Sequence, residues 1–124
     1  MSSSSNQIAQ AYVALVREKK HLELIESLYS DDAVSIEPFA MPGAGRTTEG
    51  KAELLGKSQA FDTIFRVESQ KISDPWPHGY DKFAVHMTFE MTHIESGSTR
   101  SMDEIAVMTI RDGKICSEEF FYSE

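Results

Sequence analysis

The C-terminal part of the chain carries carboxylates inside two segments that otherwise have the composition of β-strands. Glu104 lies within Met102–Ile110, and Glu118 and Glu119 lie within Ile115–Tyr122. A carboxylate in the middle of a strand is costly to bury without a partner. A carboxyl group that is partly desolvated has a raised pKa and can act as a general acid or base near neutral pH. We therefore expect this part of the chain to form the wall of a pocket.

The two segments are predicted to form a β-hairpin, because Asp112-Gly113 between runs of apolar and aromatic residues is a strong turn signal. Two registers are open. A two-residue loop pairs Arg111 with Lys114, whereas a three-residue loop, with a bulge at the glycine, pairs Ile110 with Lys114. Like charges directly opposite each other are unfavourable, which favours the second register. The choice matters because a slip of one residue moves every side chain to the other face of the sheet.

The elements before this hairpin must position it. Apolar residues recur at helical spacing in the first half of the chain and alternate with polar ones after residue 65. The predicted elements are a helix to about Lys19 with Ser4 as its N-cap, a helix over about His21–Tyr29, a strand over Ala33–Glu37 ended by Pro38, a loop over Phe39–Thr48, a helix over Thr48–Phe61, a strand over Phe65–Ile72, a connection over Asp74–Gly79 and a strand over Phe83–Thr92. Helices followed by a β-meander indicate an α+β fold, with a curved antiparallel sheet and helices on one face. We expect residues 1–7 to be a polar tail and residues 8–124 to be one domain.

Composition excludes several classes of partner. The 124 residues have a net charge of −8, which argues against binding to nucleic acid or to an anionic membrane. The single cysteine, Cys116, excludes an internal disulfide and a multi-cysteine zinc site. The four histidines lack metal-ligand spacing, and no apolar run approaches the roughly 20 residues that span a bilayer. We expect a cytoplasmic protein without a metal site.

Several segments resemble one protein superfamily. Residues 28–38 (LYSDDAVSIEP), Asp103–Val107, Asp112–Ile115 and Phe120–Tyr122 are similar in order and spacing to nuclear transport factor 2-like proteins. The resemblance is to the branch of the ketosteroid isomerases and SnoaL-like polyketide cyclases. It implies a cone-shaped (cystatin-like) fold, in which a bent sheet wraps around the N-terminal helices and leaves an internal apolar cavity. It also implies that homodimers formed through the sheets are common.

The resemblance assigns roles to individual positions. Glu37, just before Pro38, holds the place of the catalytic base of the ketosteroid isomerases, where an aspartate is usual. Tyr12 matches the tyrosine that donates a hydrogen bond to the developing oxyanion. The position of a second oxyanion donor, a carboxylic acid kept neutral by apolar surroundings, falls on Ala106. This departure argues against steroid isomerisation by the mechanism of that family.

The resemblance also places the Ala106 face of the hairpin inside the cavity. In the favoured register Glu118 lies opposite Ala106, Glu104 is its diagonal neighbour, and Glu119 faces outward. Two carboxylates that close in an apolar setting should not both be ionised at neutral pH. Alternatively, the two lie near the open mouth of the cone, where they are solvated or paired with arginine. The expected ligand-binding residues are Met87, Phe89, Met102, Ala106, Met108, Phe120 and Tyr122.

Two functions remain open at this point. The first is a cofactor-independent isomerase or cyclase acting on an apolar, carbonyl-bearing substrate. In it Glu37, or the pair of Glu104 and Glu118, moves a proton, and Tyr12 or Tyr122 binds the oxygen where charge develops. The second is a non-catalytic binding module for a small apolar ligand, since this fold hosts both classes. The outward face of the hairpin is more apolar than a solvated sheet needs, which predicts a homodimer formed through Ile105, Val107 and Phe121.

Overall fold

A computed structural model describes residues 2–41 and 45–123 of the chain, with the side chains of residues 5–40 and 45–123. Its elements, in chain order, are α1 (Ser2–Arg17), α2 (His21–Leu28), β1 (Tyr29–Met41), β2 (Gly45–Glu49), α3 (Lys51–Ile64), β3 (Phe65–Ile72), β4 (Trp76–His78), β5 (Lys82–His93), β6 (Thr99–Arg111) and β7 (Lys114–Phe121). None of the helices in this part of the chain has the length and apolar character needed to cross a bilayer.

The strands form one curved, unclosed sheet in the order β2-β1-β7-β6-β5-β3, and β4 pairs with β5 outside this path. The pairs are antiparallel except that β1 runs parallel to β7. The helices cover one face of the sheet, and the apolar sides of helix and sheet close the core between them. The predicted α+β fold is therefore confirmed. The core residues of α1 and of the sheet include Tyr12, Val13, Val16, Phe83, Val85, Met87, Ala106 and Met108.

The first strand extends beyond its predicted end. β1 continues through Pro38, which was expected to terminate it. Proline is tolerated here because it follows Ile36, the last residue of β1 that pairs with β7, and lies where the pairing with β2 is irregular. The loop predicted over Phe39–Thr48 is wrong at both ends, because residues 39–41 continue β1 and residues 45–48 belong to β2. Residues 42–44 of that predicted loop lie outside the described residues.

Three further elements differ from the prediction. The connection predicted over Asp74–Gly79 contains β4, in which Pro77 lies opposite Phe83. The ladder accepts this proline because β4 is a short strand at the edge of the sheet. The helix α1 begins at Ser2, so Ser4 is inside the helix and is not its N-cap. Helix α3 spans Lys51–Ile64, three residues later than predicted.

The turn of the hairpin corrects the predicted register. Arg111 lies opposite Lys114, so the loop has two residues and not three. Asp112 and Gly113 have φ angles of 54° and 76°. A two-residue hairpin turn with both residues left-handed matches the twist of the strands, and Asp-Gly is among its preferred sequences. The repulsion that argued against this register is weak, because both cations are exposed and their charges are screened by solvent.

A bulge then returns the side chains of β7 to the predicted face. Ile110 pairs with Ile115, but Thr109 pairs with Ser117, so Cys116 is the extra residue in β7. The shorter loop would turn the following side chains outward, and the extra residue turns them inward again. Glu118 therefore lies on the predicted face.

Candidate functional site

Three carboxylates lie on the face of the sheet that packs against the helices. They are Glu37 on β1, Glu118 on β7 and Glu104 on β6, three strands that are neighbours in the sheet. Glu37 is only 8% exposed, whereas Glu104 and Glu118 are half-buried. The alternation of each strand explains this placement, since Ala33, Ser35 and Glu37 are all buried while the residues between them are less so.

Helix α3 brings a cation to these acids. The backbone N–H of Gly50, just before the helix, donates a 2.7 Å hydrogen bond to the carbonyl of Ala33 and ties the start of α3 to β1. Leu54 is buried under the helix, and Lys57, three residues later, lies on the same side. The ammonium of Lys57 thereby reaches Glu37 across the helix–sheet interface.

Both carboxylate oxygens of Glu37 are engaged by fixed donors. The hydroxyl of Tyr122 donates a 2.6 Å hydrogen bond to Oε1, and the ammonium of Lys57 lies 2.6 Å from Oε2. The carbonyl of Glu37 accepts a 3.1 Å hydrogen bond from Nε of Arg46. Glu37, to which the resemblance assigns the role of catalytic base, thus forms an ion pair with Lys57 and is held in a fixed orientation.

Glu118 is held by a different donor. Its carboxylate accepts a hydrogen bond from the hydroxyl of Tyr29, and Ser35 is its cross-strand partner on β1. Burial raises the pKa of Glu118, and the hydrogen bonds and the charge of Lys57 offset part of this effect. The hydroxyl of Ser35 also accepts a 3.0 Å hydrogen bond from Nζ of Lys57. Lys57 therefore connects the carboxylate of Glu37 to Ser35, the residue of β1 that lies opposite Glu118.

Tyr12 is a core residue of α1 and lies near these acids. It is 3% exposed, and its ring packs edge-on against Phe83 at a centroid distance of 5.5 Å. Burial and the nearby charges of Glu118 and Glu104 raise the pKa of Tyr12 well above its usual value.

Glu104 has a different environment from the other two acids. Burial, followed by the charges of Glu37 and Glu118, raises its pKa to about 7, and Lys57 opposes this shift. Its carboxyl group forms no hydrogen bond with any residue in the described part of the chain. A half-buried carboxyl group of this kind is populated in both protonation states near neutral pH, as proton transfer requires.

The structure corrects the predicted spacing of Glu104 and Glu118. Glu118 lies opposite Met108 and not opposite Ala106, which pairs with Phe120. The Ala106–Phe120 pair therefore separates the two carboxylates, and they are not diagonal neighbours. Of the nearby charges, that of Glu37 raises the pKa of Glu104 more than that of Glu118 does.

The seven predicted ligand-binding residues divide into two groups. Met87, Ala106 and Met108 are 3% exposed or less and belong to the packed core. The other four are half-buried and surround Glu104 and Lys57 at the accessible end of this face: Phe89, Met102, Phe120 and Tyr122. Phe39 packs edge-on against Tyr122 at 5.6 Å. A ligand reaching Glu104 would contact these side chains, so their role in binding stays a prediction.

A separate open groove of about 540 Å³ lies at the turn of the hairpin. Its lining includes Tyr80, Asp81, Arg111 and Cys116 but none of the three inward carboxylates. We therefore place the candidate site at the acid cluster and not at this groove. Among residues 5–40 and 45–123, no three His, Cys, Asp or Glu side chains are grouped so that they could hold a metal ion.

Sequence reasoning missed three members of the site. Tyr29 was recognised only as a helix position, and Ser35 only as part of a strand and of a motif. The alternation of β1 could have placed Ser35 beside Glu37, since both belong to the same face. The sequence indicates the role of Lys57 only weakly. It lies three residues after an apolar position of α3, but a lysine on the solvent-exposed side of a helix can have the same spacing.

Comparison with known proteins identifies the family. The sequence profile of the SnoaL-like domain matches residues 3–122. A Mesorhizobium loti protein named as a SnoaL-like polyketide cyclase is 30% identical, with a TM-score of 0.86 over 94% of this chain and 97% of that one. A Bacillus subtilis protein named as an isomerase is 20% identical, with a TM-score of 0.78 over 98% of this chain and 87% of that one.

An NTF2-like protein from Burkholderia xenovorans is 18% identical, with a TM-score of 0.73 over 98% of this chain and 90% of that one. No curated protein matches the chain significantly. The resemblance to nuclear transport factor 2-like proteins, in their SnoaL-like and ketosteroid isomerase-like branch, is confirmed. The chain belongs to the SnoaL-like domain family.

Proposed function

We propose that this protein is a cofactor-independent enzyme that transfers a proton beside a carbonyl group of an apolar small molecule, as an isomerase or a cyclase does. One observation carries the proposal. Glu104 is accessible, has no hydrogen-bond partner among the described residues, and has its pKa raised to about 7 by burial and by nearby negative charge. A base whose pKa lies near the working pH contributes roughly 10²- to 10⁴-fold to the rate of a proton transfer.

The chemistry follows from the positions of the acids. The Glu104 carboxylate removes a proton from the carbon beside the carbonyl, and the electron pair of that C–H bond moves toward the carbonyl oxygen. Glu104 can then return the proton to another carbon, which is isomerisation. Alternatively, the enolate carbon attacks a second carbonyl of the same molecule and closes a ring, the π bond of that carbonyl breaks, and its oxygen takes the proton from Glu104. Proton transfer of this kind needs no cofactor.

Glu37 and Glu118 support Glu104 and do not replace it. The two oxygens of Glu37 are already bound by Tyr122 and Lys57. Glu118 accepts the hydrogen bond of Tyr29. Burial raises the pKa of Glu104 most, and the negative charges of Glu37 and Glu118 raise it further, to about 7. The half-buried aromatic and methionine side chains around Glu104 would bind the apolar body of the substrate.

The family supports the same reaction class. The Mesorhizobium loti relative is named as a polyketide cyclase, and the Bacillus subtilis structure as an isomerase. Both reactions can proceed through removal of a proton beside a carbonyl group.

Deuterium exchange tests the proposal without knowledge of the natural substrate. A panel of apolar cyclic ketones and 1,3-diketones is incubated with the protein in D2O, and NMR follows deuterium incorporation beside the carbonyl. We expect the wild-type protein to accelerate exchange for at least one compound and Glu104→Gln to slow it by about 100-fold. Glu53→Gln, an exposed carboxylate on α3, is the matched control and should exchange like the wild type. Exchange that is unchanged in Glu104→Gln would contradict the proposal.

Binding without turnover is the second candidate function. The observation that favours it is Ala106, which is fully buried and offers no proton at the position of the second oxyanion donor. A binding module would hold members of the panel without accelerating their exchange. It would also hold them equally well in the wild type and in Glu104→Gln, as isothermal titration calorimetry would show.

A further inference from the structure

We infer that Lys57 is a further catalytic residue, whose ammonium donates a hydrogen bond to the substrate oxygen on which negative charge develops. The inference rests on the proposed proton transfer at Glu104. It adds the electrophilic group that such a transfer requires and that Ala106 cannot supply.

The hydrogen bonds of Lys57 leave one donor for a ligand. A lysine ammonium has three N–H groups and no acceptor. One points to Oε2 of Glu37 at 2.6 Å and one to the hydroxyl of Ser35 at 3.0 Å. No residue in the described part of the chain accepts the third. The side chain of Lys57 is 35% exposed, so a bound molecule can reach it.

The ammonium also lies beside the position that lacks a donor. Nζ of Lys57 is 5.7 Å from the ring centroid of Phe120. Phe120 is the cross-strand partner of Ala106. Glu104 is two residues before Ala106 on the same face of β6, and the charge of Lys57 acts on it. Glu104 and the ammonium of Lys57 therefore both lie near the Ala106–Phe120 pair.

The arrangement suits a reaction in which charge moves onto oxygen. When Glu104 takes the proton, the electron pair of the broken C–H bond passes to the carbonyl oxygen, and the third N–H of Lys57 donates to that oxygen. The proton later leaves Glu104 for another atom of the substrate, so Lys57 keeps its own protons throughout. Glu37 and Ser35 hold the ammonium in place, so it does not need to reorganise as the charge develops.

Binding of 4-nitrophenol tests this role separately from turnover. Its ionised form carries an oxyanion on an apolar ring and has its own absorption band. At pH 6 most Glu104 side chains are protonated, since their pKa is about 7, so the site has the charge state that follows proton transfer. We expect the wild-type protein to bind the phenolate and to shift the phenol toward ionisation.

Lys57→Met should weaken phenolate binding at least tenfold and abolish the ionisation shift. Lys57→Arg should keep part of both. Nitrobenzene, which has the ring but no hydroxyl, should bind the wild type and Lys57→Met equally, as evidence that the apolar part of the site is intact. Lys71→Met, which removes an exposed lysine of β3, is the matched control and should behave like the wild type. If Lys57→Met unfolds because Glu37 is left without its counter-ion, the double variant Glu37→Gln/Lys57→Met replaces it.

Two results would overturn the inference: a wild-type protein that does not bind the phenolate, or a Lys57→Met variant that binds it as tightly as the wild type. Either result combined with loss of deuterium exchange in Glu104→Gln would remove Lys57 from the mechanism and leave the proposed function standing. Phenolate binding that depends on Lys57, without any exchange at Glu104, would support the donor and contradict the proposed function.

Discussion

The hydroxyl of Tyr122 donates a 2.6 Å hydrogen bond to Oε1 of Glu37 and so joins the residue that follows β7 to the inner face of β1. The other oxygen of the same carboxylate accepts a hydrogen bond from the ammonium of Lys57. Two donors from different elements therefore fix one carboxylate, and the charge of that carboxylate helps to set the pKa of Glu104. The site is assembled by contacts between β1, α3 and the end of the chain.

Replacing Tyr122 with phenylalanine should leave Oε1 of Glu37 without its donor inside the protein. We expect Tyr122→Phe to lower the free energy of unfolding by about 1–2 kcal/mol, the usual cost of losing one partner of a partly buried hydrogen bond. The ring contact with Phe39 should remain. Urea denaturation at pH 7 measures the change. Tyr80→Phe removes a hydroxyl from a side chain that is 82% exposed and serves as the control. A loss no larger than that of the control would show that the hydrogen bond does not stabilise the fold.

Glu104 should make the stability of the protein depend on pH. Its pKa is about 7 in the folded state and about 4.5 when unperturbed, so the folded state binds the proton more tightly. The resulting stabilisation is fully present below pH 4.5 and is lost as the pH rises toward 7. Glu104→Gln, which is neutral at every pH, should therefore gain stability relative to the wild type between pH 4.5 and 8. We expect a relative gain on the order of 2 kcal/mol, since one pKa unit corresponds to about 1.4 kcal/mol and the group is only partly buried.

Denaturation of both proteins across this range measures the difference. Glu53→Gln controls for the general effect of removing a carboxylate. A difference between Glu104→Gln and the wild type that stays constant with pH would contradict the raised pKa.

Two glycines should respond to alanine in opposite directions. Gly113 has a φ of 76° in the hairpin turn, a conformation that alanine adopts only with strain, although no atom would contact its added methyl group. We expect Gly113→Ala to cost about 1 kcal/mol. Gly56 lies inside α3, where the methyl group also meets nothing within 4 Å, so Gly56→Ala should gain roughly 0.5–1 kcal/mol through helix propensity. Thermal denaturation compares the two. Equal effects of the same sign would argue against the two-residue turn.

We propose that the protein forms a homodimer through the outer face of the sheet. Ile105 and Phe121 are cross-strand partners on that face and are 37% and 49% exposed. An arginine at the centre of such an interface would have to be buried without a partner. Ile105→Arg should therefore convert a dimer into a monomer, as size-exclusion chromatography with light scattering would show. Ile94→Arg is the control, because Ile94 is 47% exposed but lies in the turn between β5 and β6. A wild-type protein that is monomeric at micromolar concentration would contradict the proposal.

Strict alternation made some strands predictable from sequence. In β5, apolar residues from Phe83 to Met91 alternate with polar ones, and the structure buries Phe83, Val85, Met87 and Met91. The prediction is wrong at two prolines, which were expected to lie outside strands. Pro38 and Pro77 both lie in strands, at an irregular pairing and at a sheet edge, and neither condition can be read from neighbouring residues.

The face of Glu118 was predicted correctly although the register was wrong. The loop is one residue shorter than expected, and the bulge at Cys116 adds one residue to β7, so the register shifts by two residues, which keeps the face of Glu118 and changes its partner. The exact partner of Glu118 depends on that bulge, for which the sequence has no clear signal. Lys57 was missed for another reason. It reaches Glu37 because α3 packs on β1, and a contact between residues 20 positions apart is set by tertiary packing.

The pKa of Glu104 is the most direct test of this account, because the proposed proton transfer depends on it. Carbon-detected NMR of the glutamate carboxyl groups, assigned with Glu104→Gln, would follow its ionisation from pH 4 to 9. We expect Glu104 to titrate near pH 7, and to titrate at still higher pH in Lys57→Met, because Lys57 lowers this pKa in the wild type. A pKa near 4.5 in the folded protein would contradict the account, since Glu104 would then be an ordinary ionised side chain with little power to move a proton at neutral pH.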